Sequence, residues 1–196
     1  AKGSLEALKA ATIEATGRTV EDEITQAIAV IGENMNLRRT AYLEVPAGVV
    51  AGYLHNQLSP GLGKIGVLVA LASTGDQARL GELGKQLAMH VAATSPQAVS
   101  ADKLDPAVIE RERQIFADQA RASGKPESII EKMVEGRLRK FYEESVLLEQ
   151  AFVVDPDQRV KAAVQAVAKE IGAPIEVVAF VRLALGEGVE RNADDF

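Results

Sequence analysis

The residues of this chain that come closest to carrying chemistry are the stretch Pro60-Gly61-Leu62-Gly63-Lys64 and its two histidines, His55 and His90. A phosphate-binding loop must follow a strand and open a helix, because its amides and the helix N-terminus together hold the anion. Here the glycines precede an apolar run that reads as a strand. The spacing also departs from GxxxxGK[ST], so the stretch is read as the loop of a hairpin. Neither histidine has a second ligand type at a metal spacing such as i, i+4, and no metal site is expected. The absence of cysteine removes disulfides, thiolate metal sites and cysteine nucleophiles together. Serines and threonines are scattered without a Gly-x-Ser-x-Gly turn, and the carboxylates fall mostly on amphipathic segments, where solvation and ion pairing account for them. The chain is therefore read as a non-enzyme with no cofactor. His90 flanks the stripe made by Leu83 and Leu87. It is either packed at a helix edge or exposed for recognition, and spacing alone does not choose.

Composition points the same way. The 196 residues are 47% hydrophobic and can bury a core in one or two compact units. A formal net charge of -6 gives no general attraction to phosphates, and the basic cluster Arg137, Arg139, Lys140 reads as a solvated helix face. No direct nucleic-acid partner is expected. The longest apolar stretch, Ile65 to Ala72, is far short of the roughly 20 residues that cross a bilayer, and the amino terminus lacks a basic segment followed by an apolar run. A soluble cytoplasmic protein is expected, with an organelle matrix as the alternative. With no Trp and abundant Ala, Val and Leu, the core must be aliphatic, which suits helices laid across an open sheet.

The elements that would position any site follow from periodicity. Ser4 can cap a helix carrying Leu5, Leu8 and Ala11, broken at Thr16-Gly17. Thr19 can cap a second, with Asp22 favouring the dipole and Val20, Ile24, Ile28 and Ile31 forming a stripe that ends at Gly32. From Leu37 to Val45 apolar and polar residues alternate as in a strand. Val49 to His55 and Ile65 to Ala72 give two more strands joined by a loop from Asn56 to Lys64, so a three-stranded antiparallel meander is predicted, with the last strand central. Gln77 to Ala93 returns to helical spacing through Leu80, Leu83, Leu87 and Val91 and should lie across the sheet. Pro106 to Ala122 and Glu127 to Leu148, separated by Ser123-Gly124-Lys125-Pro126, predict an antiparallel helical hairpin. Beyond Asp155-Pro156 a helix carries Val160, Val164 and Val167, and Ile175 to Leu185 reads as an edge strand.

Several stretches together resemble the elongation factor Ts family. They are Ile31-Gly32-Glu33-Asn34-Met35-Asn36-Leu37-Arg38-Arg39, Gly63-Lys64-Ile65-Gly66-Val67-Leu68-Val69-Ala70, Ala88-Met89-His90-Val91-Ala92-Ala93, and Ser123-Gly124-Lys125-Pro126 followed by Glu131-Lys132-Met133-Val134-Glu135-Gly136-Arg137, with Gly186-Glu187-Gly188 near the end. They stand in the family's order. The resemblance implies a guanine-nucleotide exchange factor that binds elongation factor Tu and makes or breaks no bond. It also implies an α+β fold: a three-stranded antiparallel sheet packed on helices, with an inserted antiparallel helical hairpin, a coiled coil in the family. Residues 1–36 would be the helical remainder of a first core half, 37–100 the second core half, 101–150 the inserted hairpin, and 151–196 the return to the core.

Family contact positions carry over where motifs match. Ile31 and Gly32 fall at a helix end facing the partner, although a last core residue and a capping glycine would look the same. His90 matches a partner-facing position, and Val153 with Val154 matches a contact pair, although a buried linker would ask for the same residue types. The hairpin and the open sheet are candidate surfaces for a homodimer, and a structural dimerisation module without exchange activity is the alternative function. The family also carries a small helical domain and a Thr-Asp-Phe-Val motif ahead of the region matching residue 1, and a helix beyond Asp194-Asp195-Phe196. The piece is accordingly expected to bind weakly and exchange poorly by itself.

Overall fold

A computed structural model describes residues 1–188; the stretch Asp194-Asp195-Phe196, from which a further helix is expected, lies outside them. The chain divides into two compact units, residues 1–43 and the remainder from Glu44.

In the first unit α1 (Leu5–Lys9) starts at Ser4, whose hydroxyl accepts from the Ala7 amide at 3.2 Å. It is shorter than the apolar stripe suggests. The following loop closes on itself through Ile13 N–H to the Arg18 carbonyl at 2.8 Å and Gly17 N–H to the Ile13 carbonyl at 2.8 Å, which ends the helix before Ala11 can join it. In α2 (Val20–Ile31) the Thr19 hydroxyl accepts from the Asp22 amide at 3.1 Å, satisfying a first-turn donor. The helix stops at Gly32, which takes φ +80° and donates its N–H to the Ile28 carbonyl at 2.8 Å. Only glycine enters that left-handed region without a Cβ penalty.

The second unit holds an antiparallel sheet in the order β1 (Gly48–Ser59), β2 (Leu62–Ala72), β5 (Glu176–Ala184). Its three strands are not the meander predicted from periodicity. Leu37 to Val45 carries no strand, and the third member is β5, which arrives from the far end of the sequence. Alternation gives a segment two faces but no neighbour. Both ladder edges of β2 are taken, by β1 and by β5 with its Val177, Val178, Phe180 and Val181. β2 is central, as its continuous apolar character requires. The predicted loop from Asn56 to Lys64 is also mostly ladder: pairing continues through Gln57–Gly63 to Ser59–Leu62, leaving only Pro60-Gly61 as the turn.

α3 (Gln77–Thr94) lies across β1 and β2 and turns Leu80, Leu83, Leu87 and Val91 fully inward. Burying each such side chain contributes about 1.5–3 kcal/mol. The approach is close enough that a Cβ at Gly84 would stand 2.6 Å from the Ala51 Cβ. The core formed with Val67, Val69 and Leu71 extends to Leu147, Phe152, Val160 and Val164. α4 (Pro106–Arg121) and α5 (Glu127–Ser145) pack on each other through a separate cluster of Ala120, Ile130, Val134 and Leu138, with Ile109, Phe116 and Met133 around it. Arg137, part of the basic cluster, places its guanidinium carbon 5.9 Å from the Phe116 ring centroid, so it covers the hairpin's own apolar seam. After α5 come a short 3-10 turn (Leu147–Glu149), a small hairpin of β3 (Ala151–Phe152) and β4 (Asp155–Arg159), and α6 (Val160–Glu170) before β5.

Candidate functional site

The β3–β4 hairpin was not legible in the sequence. Two residues pair with five across the turn Phe152 to Asp155, and Asp155-Pro156 reads as a helix start, not a strand. The hairpin puts Val153 and Val154 at its tip, each 44% exposed, while Phe152 turns into the core. A strand this short does not hold its own shape in water. It is fastened from below by hydrogen bonds converging on His90 and Gln150.

His90 lies on α3 with its side chain completely buried. The Val153 amide donates to its Nδ1 at 3.2 Å, and its Nε2 stands 2.8 Å from Gln150 Oε1. A backbone amide only donates, so Nδ1 is bare, Nε2 carries the proton, and the ring is neutral with Nε2–H donating to Gln150. Burial lowers the proton affinity of the ring below that of an ordinary histidine, and the Gln150 contact opposes this only in part. Gln150 Oε1 is also 3.1 Å from Thr94 Oγ1, and Gln150 Nε2 donates to the Glu144 carbonyl at 2.7 Å. The backbone of Gln150 accepts from the Val160 amide at 3.0 Å. Gln150 thereby ties the end of α5, the root of the hairpin and the first residue of α6 together. The Phe152 ring stands 5.8 Å from the imidazole, closing the apolar side.

On the outer side Arg159, the last residue of β4, donates to Glu149 at 2.6 Å and Glu143 at 2.5 Å, bracing the hairpin against α5. These pairs are solvent-exposed and orient more than they stabilise.

The structure thus brings three of the five residues singled out in the sequence, His90, Val153 and Val154, into one place. The exposed-recognition reading of His90 does not describe its side chain: of the two readings, the packed one matches, and its contact with the tip runs through Val153. Ile31 is 59% exposed at the end of α2 in the first unit, so it is no core residue there, and Gly32 is the capping glycine. Gln150 is the residue that sequence reasoning missed. A buried glutamine 60 positions from its histidine leaves no local signal. The other histidine, His55, is exposed and its Nδ1 faces Tyr53 Oη at 3.2 Å. Among the described residues His55 meets Tyr53, His90 meets Gln150 and the Val153 amide, and no helix is long and apolar enough to cross a membrane.

A family model described as Elongation factor TS matches residues 1–187. Elongation factor Ts of Rhizobium meliloti (strain 1021) is 61% identical over 194 residues, 99% of this chain and 63% of that protein. The same name is carried by relatives from Agrobacterium fabrum, 61% identical, and from Sinorhizobium medicae, 60% identical, with the same coverage. The chain spans about 63% of the length of the curated relatives it matches.

Proposed function

The chain belongs to the elongation factor Ts family, and from that premise we propose that it serves translation elongation as a guanine-nucleotide exchange factor for elongation factor Tu, acting by binding and not by catalysis. The observation that carries this reading is the family match spanning residues 1–187, which takes in the motif segments up to Glu187 and the tip bearing Val153 and Val154. Exchange by such a factor is a linkage effect. A protein that grips the nucleotide-free partner more tightly than the loaded one must, by the same free energy, loosen the nucleotide. That requires a shaped surface and no reacting group. The apolar tip, held rigidly from the core, suits such a surface because little conformational freedom is lost when it docks. Ile31, exposed beside the Gly32 cap, is the proposed contact in the first unit. The α4–α5 pair is the proposed counterpart of the family's coiled coil, and the bacterial cytoplasm is where such a factor would act.

A second reading, self-association, draws on the outer strand β1, where Val50 and Leu58 are exposed, with Leu62 across the turn. An open strand edge with apolar residues is a pairing surface.

The two readings separate in a binding titration with elongation factor Tu. The exchange-factor reading predicts binding that weakens at least about tenfold in Val154→Asp, since a carboxylate must be desolvated at the contact, with thermal stability unchanged because the position faces water. Self-association with no binding to elongation factor Tu would reverse the order of the readings.

A further inference from the structure

We propose that His90 is a positioning residue for partner recognition: its bare Nδ1 holds the Val153 amide and so fixes the orientation in which the Val153-Val154 tip meets elongation factor Tu. This rests on the exchange-factor reading above and goes beyond it in naming what shapes the contact.

In the four-residue turn Phe152 to Asp155, the amide of the second residue, Val153, takes no part in the turn's own hydrogen bond. The β3–β4 ladder pairs only Ala151 with Arg159 and Phe152 with Asp155, and its register shifts between the two. So short and irregular a ladder leaves the tip underdetermined. Among the described residues the Val153 amide donates into the core, to His90 Nδ1 at 3.2 Å. The tautomer is enforced from the other side, where Gln150 Oε1 accepts from Nε2–H and Gln150 is itself anchored on the Glu144 carbonyl. α3 is pinned across the sheet, so the ring is a fixed post and the exposed valines are what it supports.

Two substitutions divide the ring's functions. In His90→Asn, Oδ1 replaces Nδ1 and can still accept from Val153, while the reach to Gln150 is lost. In His90→Gln, Nε2 replaces the imidazole Nε2 and can still donate to Gln150, while the acceptor for Val153 is lost. Affinity for elongation factor Tu, thermal midpoint and exchange of the Val153 amide by NMR are measured on all three proteins. A purely structural histidine would make affinity follow the thermal midpoint. A positioning histidine makes it follow the Val153 amide: His90→Asn should bind within about threefold of wild type with that amide protected, and His90→Gln should bind roughly five- to tenfold more weakly with it exchanging freely, about the worth of one hydrogen bond. Wild-type binding by His90→Gln, or a freely exchanging Val153 amide in a wild-type chain that does bind, overturns the role of His90 alone. A wild-type chain that fails to bind elongation factor Tu overturns the exchange-factor reading and the docking role with it.

Discussion

A histidine sealed inside a protein reports on its own protonation through stability. The hydrogen-bond partners of the His90 ring are an amide side chain and a backbone N–H, both uncharged, and burial outweighs the support that the Gln150 contact gives to a positive charge. Its folded-state proton affinity is therefore below that of the unfolded chain, where histidine titrates near about pH 6.5. Above that pH both states are neutral and the group adds no pH dependence. As pH falls below it the unfolded state takes up a proton that the folded state refuses, so stability drops until the folded pKa is passed. Urea midpoints at pH 7.5 and 5.5 for wild type and His90→Asn should show the wild-type advantage shrinking on acidification; an advantage independent of pH would mean the ring is not held neutral. Taking the difference between the two proteins cancels the carboxylates, which titrate in both.

At the scale of elements, α3 packs closely on β1 at Gly84. Gly84→Ala would place a methyl 2.6 Å from the Ala51 Cβ, forcing helix and sheet apart at a cost of about 1–3 kcal/mol. Adding Ala51→Gly should recover part of that loss, since the clash needs both methyls. Chemical denaturation of the singles and the double gives the coupling, and purely additive costs would place the strain elsewhere. Elements with strong local signals were legible in the sequence. α2 has its Thr19 cap and Gly32 stop, α3 its inward leucine stripe, and β2 its continuous apolar run. What escaped was pairing at long range. Leu37 to Val45 alternates like a strand but has no ladder, whereas β5 reaches β2 from more than a hundred residues away. The β3–β4 hairpin was missed because its strands are too short for periodicity to register. The candidate site was half legible for the same reason: His90 and the two valines stand in recognisable motifs, but the burial that links them depends on Gln150 and a fold no local pattern encodes.

Over the whole molecule, each of the two units carries exposed apolar residues of its own. The polar atoms of His90 and Gln150 are spent on each other, on Thr94 and on backbone groups, and among the exposed apolar residues Ile31 stands beside a glycine cap in the first unit and Val153 and Val154 on a hairpin fixed from the core of the second. If such a surface drives exchange, it must distinguish two states of its partner, because a ligand with equal affinity for both shifts nothing. The decisive measurement is the affinity of this chain for elongation factor Tu prepared nucleotide-free and loaded with GDP, in one buffer. Tighter binding to the nucleotide-free form by at least about tenfold, a coupling of about 1.4 kcal/mol, is the result predicted. Equal affinities for the two forms would contradict exchange by linkage, whatever the strength of binding.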